Sequence, residues 1–271
     1  MVQYLLIFWS TLFLFGTTSK PEGGSKQWKR MWSVPAKGEQ VYTDPLGDIC
    51  VVQGDQLTKY KGNGLLFRVY SNKNLGKITS VDAANPLKII VFYRDFSRIV
   101  FLDNTVTDNG EPLKLEELGM EQASLVCWSY DNGIWIYDPI RFSLTRLNQQ
   151  LKIQNEILNL NQILGFALQP TWMLEADNYL FINVPDKGVL QFDVFGTYMR
   201  TIPIKGIQKF DVSGESIIYT DQEERLHLYQ IKTFIEDTVS LPRKGINDFA
   251  IDKDRMILLS NDSLYAFQFK E

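Results

Sequence analysis

The sequence predicts an all-β fold, a β-propeller with six blades, and three observations carry that expectation. An aliphatic residue followed three positions later by an aromatic or large apolar one recurs six times. The recurrences are about 41 residues apart on average, the length of a four-stranded propeller blade. Between them, short β-branched or aromatic runs alternate with Gly, Asn and Asp turn signals, and no strand-helix alternation or glycine-rich phosphate loop interrupts the pattern.

The anchors are Leu57/Tyr60, Ile99/Leu102, Ile134/Tyr137, Val189/Phe192, Leu226/Tyr229 and Leu264/Phe267. The first repeat runs EQVYTD, turn PLGD, ICVVQG, QLTKY, turn KGNG and LLFRVY. The fifth runs KFDVSG, SIIYTD, turn QEE and RLHLYQI, and the sixth DFAID, turn KD, RMILLSND and SLYAFQF. Gly47-Asp48, Asn63-Gly64, Asp131-Asn132-Gly133 and Asp186-Lys187-Gly188 supply residues that tolerate positive φ at hairpin joints. The sixth repeat offers only three strands, while QWKRMWSV at residues 27–34 has no partner in its own repeat. Residues 28–33 are therefore expected on the outside of the last blade, closing the ring and removing its open edge.

The interval from Ile134 to Val189 is the irregular one, and residues 148–165 are expected to be an insertion. Read as a helix, this stretch puts Ile153, Ile157, Leu160 and Leu164 on one stripe; read as strands, it makes an extended outer hairpin or a seventh partial blade. It is an inter-blade connector or, with Leu151 added to the stripe, a surface for a partner.

Ahead of the repeats, residues 1–19 carry no charged side chain, and YLLIFWSTLFLF at 4–15 has the length of a signal-peptide apolar core, short for a membrane span. The expected organisation is a signal peptide at 1–19, a flexible leader at 20–27 and one propeller domain at 28–271, with no integral membrane span after cleavage. The export reading is met by an unusual flank, since Lys20, Lys26, Lys29 and Arg30 all follow the apolar run.

Composition narrows the chemistry. Twenty-eight Lys and Arg against 32 Asp and Glu give a net charge of −4, which offers nothing to a nucleic-acid backbone. Two cysteines and one histidine exclude a four-ligand Cys/His zinc site. Cys50 and Cys127 lie in apolar runs and read as small buried hydrophobes. His227, in RLHLYQ, points opposite to Leu226 and Leu228 and reads as a hydrogen-bonded strand residue rather than a catalytic base. No catalytic residue and no cofactor are expected.

Two further classes stay open. A calcium-dependent, lactonase-like propeller hydrolase would draw ligands from Asp44, Asp82 with Asn85, Asp131 with Asn132, Glu175 with Asp177 and Asn178, Asp211 and Asp252. Their Asn, Asp and Gly neighbours equally predict strand ends and turns. A glycan-binding propeller would show a coplanar exposed aromatic pair on one face of the ring. Trp128 and Trp135 lie in strand runs and are expected at blade interfaces.

TDPLGDICVV, LTKYKGNG, GKITSVDAANPLKIIVFYRDF, IVFLDN, SYDNGIWIYD and FDVFGTY together resemble exported β-propeller proteins of the Bacteroidetes. That resemblance covers most of the chain after residue 28. It implies a periplasmic protein and an association with envelope machinery such as the type IX secretion translocon. The function expected is a non-catalytic interaction module or accessory subunit, with another envelope protein, for example an outer-membrane protein, as partner.

Overall fold

The structure is a computed structural model that describes residues 27–270. The expected signal peptide and residues 20–26 of the leader lie outside the described residues, and the first strand begins at Gln27.

Six four-stranded antiparallel sheets form the ring. Blades 1 to 5 span residues 40–71, 80–114, 125–157, 172–202 and 210–240. Blade 6 combines 246–270 with Gln27–Pro35, which pairs antiparallel with Ser263–Lys270 in the register Trp28 to Phe269 and Val34 to Leu264. The innermost strands are Gln40–Thr43, Ser80–Asp82, Leu125–Trp128, Trp172–Ala176, Phe210–Ser213 and Ile246–Asp252.

Alternating apolar residues place both faces of each middle strand against a neighbouring blade, so the core is divided among the blade interfaces. One cluster joins blades 1 and 2 around Tyr42, Leu57, Ile89 and Val91, and another joins blades 3 and 4 around Trp135, Leu144, Leu180 and Phe192. Trp128 packs with Phe101 between blades 2 and 3. Each fully buried aliphatic or Phe side chain contributes about 1.5–3 kcal/mol, so these interfaces are the main cohesion of the ring.

Turn chemistry is stringent at Gly188. Its φ is +129°, and a Cβ there would lie 2.2 Å from the carbonyl oxygen of Ile202 on the adjacent strand. Only glycine lets the two strands close.

Blade 3 corrects the reading of residues 148–165. Ile134/Tyr137 falls on the second strand of its blade, whereas the other anchors fall on third strands. The third strand, Ser143–Leu147, carries Leu144 and Leu147 at the same spacing, and from Leu144 to Val189 is about 45 residues, an ordinary blade. Residues 148–165 are thus not an insertion. Ile153–Ile157 is the outer strand of blade 3, and Leu160–Leu164 is a one-turn helix in the connection to blade 4.

Candidate functional site

The axial channel is lined by the six innermost strands and consists of two cavities. One, of about 400 Å³, opens beside the turns between first and second strands and includes Asp44, Asp82, Glu175, Asp211 and Asp252 in its wall. The other, of about 660 Å³, opens on the opposite face, where the chain enters each blade. Tyr42, Ser80, Leu125, Trp172 and Lys209 border both cavities and form the waist between them.

Lys209 organises the waist. Its ammonium donates to Asp248 Oδ2 at 2.7 Å, to the Val41 carbonyl at 2.9 Å and to the Phe249 carbonyl at 3.2 Å. It also lies 4.7 Å from the Tyr42 ring centre and 5.0 Å from that of Trp172. The two rings are near-parallel, 22° apart with centres separated by 6.1 Å. Burial, reinforced by the Asp248 charge, holds the Tyr42 phenol far above its ordinary pKa, so it stays a neutral donor, bonded to Gln40 Oε1.

Of the predicted carboxylates, Asp44, Asp82, Glu175, Asp211 and Asp252 wall this channel, and each of these is engaged within the protein. Asp82 Oδ2 accepts the Trp128 N–H of the next blade at 2.8 Å, and Asp211 Oδ2 accepts the Ile251 N–H at 3.1 Å. Burial raises the pKa of both acids, and the backbone donors oppose it. Glu175 reaches back to blade 3 and accepts from Tyr130 N at 2.7 Å, Ser129 Oγ at 2.8 Å and Trp135 Nε1 at 2.6 Å. These acids staple blade to blade by satisfying inner-strand donors that no ladder reaches.

Of the remaining candidates, Asp44, Asp131, Asp252 and the pair of Asn85 with Asn132 are engaged at the turns. Asp44 is fully buried and holds the equally buried Lys59 ammonium at 3.0 Å, while accepting the N–H groups of Leu46 and Asp48. Asp131 lies 2.6 Å from the buried Arg146 guanidinium, Asp252 pairs with Arg255, and Asn85 donates to Asn132 at 2.8 Å. Asp177 and Asn178 both take positive φ and form the tight turn after the innermost strand of blade 4. Among the described residues, no group of three or more His, Cys, Asp or Glu is arranged to hold a metal ion.

His227 is tucked against the Tyr219 ring at 4.8 Å, with Nε2 3.0 Å from Asp221 and Nδ1 3.3 Å from Glu236. Cys50 and Cys127 are free and buried, and burial pushes the Cys50 thiol up to about 12. Among the described residues no helix is long and apolar enough to cross a membrane.

Of the expected partner-facing residues, Leu151, Ile157 and Leu164 pack on the cores and Leu160 is fully buried, whereas Ile153 is 48% exposed. The same region presents a different apolar surface. Ile157, Leu160, Ile163, Phe192, Phe195 and Tyr198 wall a groove of about 260 Å³ between the edges of blades 3 and 4. Ile163 is 58% and Phe195 65% exposed. Gly196 shapes the groove, because a Cβ there would lie 2.4 Å from Ile157 Cδ1.

Sequence reasoning reached Ile157 and Leu160 but missed Phe195 and Ile163, which lie in a hairpin tip and on the open side of one helical turn. It also missed Lys209, whose signal is its position just before an innermost strand.

No protein-family model and no curated protein sequence matches the chain. Solved structures do. The WD40 domain of Neurospora crassa Pan2 superposes with a TM-score of 0.62 at 9% identity, covering 91% of this chain and 98% of that one. Virginiamycin B lyase from Staphylococcus aureus gives 0.57 at 12%, covering 84% and 79%. PorZ, a surface component of the type IX secretion system of Porphyromonas gingivalis, gives 0.55 at 9%, covering 90% of this chain and 39% of PorZ. Similarity at these identities supports a propeller fold, whose six blades are the six sheets of this chain, and leaves the activity to be argued from the site.

Proposed function

We propose that this chain is a non-catalytic interaction module of the periplasm that docks onto another envelope protein through the groove between blades 3 and 4. The observation that carries the proposal is the groove itself. Large apolar side chains at Ile163 and Phe195 stand in solvent around a concave apolar surface, an arrangement that marks protein contact sites. The partner is a protein segment that presents one or two large apolar side chains to this concavity.

The chemistry of the channel supports the same reading. Its acids are engaged in bonds between blades (Asp82, Glu175, Asp211) or ion pairs within them (Asp44, Asp252), and the one histidine lies between two carboxylates in blade 5, on the second-to-third strand hairpin and the outer strand. PorZ supports an envelope setting, since that propeller-containing protein belongs to a secretion system.

The test is affinity purification of the tagged protein from its native envelope in mild detergent, beside an Ile163→Asp/Phe195→Asp variant of unchanged melting temperature. A stoichiometric partner that the variant loses supports the proposal. A partner retained by the variant, or recovery of the protein alone, contradicts it.

A further inference from the structure

The larger channel cavity lies away from the rim groove, and docking at that groove makes no use of it. Its wall combines neutral hydrogen-bonding groups with aromatic surface. The side chains of Ser80, Ser124, Gln208 and Gln222 border it and make no hydrogen bond to the protein among the described residues. The partly exposed Trp172 and the phenol ring of Tyr42 form its floor at the waist.

The charged groups around this space are mostly engaged within the protein, with four acids (Glu39, Asp221, Glu224 and Asp248) against two bases (Lys209 and Arg94) in the wall itself. Lys209 is bound to Asp248, Asp221 to Arg225 and His227, and Glu224 accepts the N–H groups of Gly245 and Ile246. Arg94 and Glu39, one of each sign, are the charged side chains of this wall left without a hydrogen bond or ion pair among the described residues. An anion therefore finds no net complement here, and of the four acids only Glu39 is free of a hydrogen bond or ion pair among the described residues to offer a cation. A ligand rich in hydroxyls finds both donors and acceptors in the free amides and hydroxyls, and an apolar ring face in Trp172.

We infer that the 660 Å³ cavity binds a neutral saccharide, with Ser124, Gln208 and Gln222 hydrogen-bonding its hydroxyls and Trp172 packing against its ring. The volume lies within the range of sites that bury most of a small ligand. Tyr42 and Trp172 are not the coplanar exposed pair that a glycan-binding ring face would show: the rings stack 22° apart inside the channel, and Tyr42 is buried.

The experiment titrates the folded protein with maltotriose, cellotriose and chitotriose, reading tryptophan fluorescence and calorimetric heat. Saturable binding of at least one probe below about 10 mM is expected, and it should weaken about tenfold in Gln208→Ala/Gln222→Ala. Both glutamines are exposed, so this variant keeps its fold, which an unchanged melting temperature verifies. Ser124→Ala, at a half-buried position, should weaken the same probe. The inference is overturned if no trisaccharide binds, if binding is indifferent to these substitutions, or if only a charged control, trigalacturonate, binds.

Discussion

The Lys209 ammonium of blade 5 lies 2.7 Å from the Asp248 carboxylate of blade 6, and the same oxygen accepts the Val41 N–H of blade 1 at 2.7 Å. One carboxylate oxygen thus joins three blades across the point where the ring closes. Replacing either partner leaves the other charge uncompensated in a site mostly hidden from water. Lys209→Met and Asp248→Asn should each lower unfolding free energy by about 2–4 kcal/mol, and the double variant by less than their sum. Urea denaturation of the four proteins measures the coupling.

Gly188→Ala should destabilise blade 4 by about 2–4 kcal/mol, because the added methyl group meets the backbone of Ile202 rather than a movable side chain. Gly206, with φ of +76° and no atom within 4 Å of the position a Cβ would take, isolates the cost of backbone conformation. Gly206→Ala should cost about 1 kcal/mol, and the difference between the two melts reports the clash.

Two acids should give pH dependences of opposite sign. Burial raises the Asp211 pKa in the folded state, so its contribution to stability is present at low pH and is lost as the pH rises through the raised value. Relative to wild type, Asp211→Asn should therefore fare better at pH 7 than at about pH 4. Asp221 behaves the other way. Burial alone would raise its pKa, but bonds from the Arg225 N–H, His227, the Arg225 guanidinium and the Glu223 N–H outweigh it and hold the carboxylate well below its usual range. That stabilisation is present above the unfolded pKa and is lost as pH falls through the folded one, so Asp221→Asn should cost most at pH 7 and progressively less below about pH 4. Denaturation midpoints across this range test both signs.

Arg255 ties blade 6 to blade 1 by donating to the Gly47 carbonyl at 2.9 Å and the Gly62 carbonyl at 3.0 Å while pairing with Asp252. Trp32 of the outer strand of blade 6 donates to the same Gly62 carbonyl at 3.0 Å. A lysine cannot span this fork, so Arg255→Lys should lose about 1–2 kcal/mol despite its retained charge. Differential scanning calorimetry against the wild type checks the loss.

The number of blades was legible because middle strands are buried on both sides and must repeat aliphatic and aromatic residues, as Leu57 and Leu226 do. Outer strands are legible only in part. Ile153–Ile157 reads IQNEI, mostly exposed, and without a buried face it has no period to reveal, which is why this edge of blade 3 was read as an insertion. The candidate acids were legible as residues near the channel but not as inter-blade staples, since the Trp128 and Ile251 N–H groups that bind Asp82 and Asp211 are about 40 or more residues away in the chain. Buried Lys59 and Arg146 were invisible for the same reason. Their counter-charges come from turns of their own blades that only folding brings beneath them.

The central claim, docking through the groove between blades 3 and 4, is tested most directly by site-specific photocrosslinking in the native envelope. A photoreactive residue is placed at position 163 or 195, and a control at Val69, an exposed residue on the outer strand of blade 1. The account predicts one shared protein adduct from 163 and 195 that is absent at 69. Adducts of equal yield at all three positions, or an adduct confined to position 69, would contradict it.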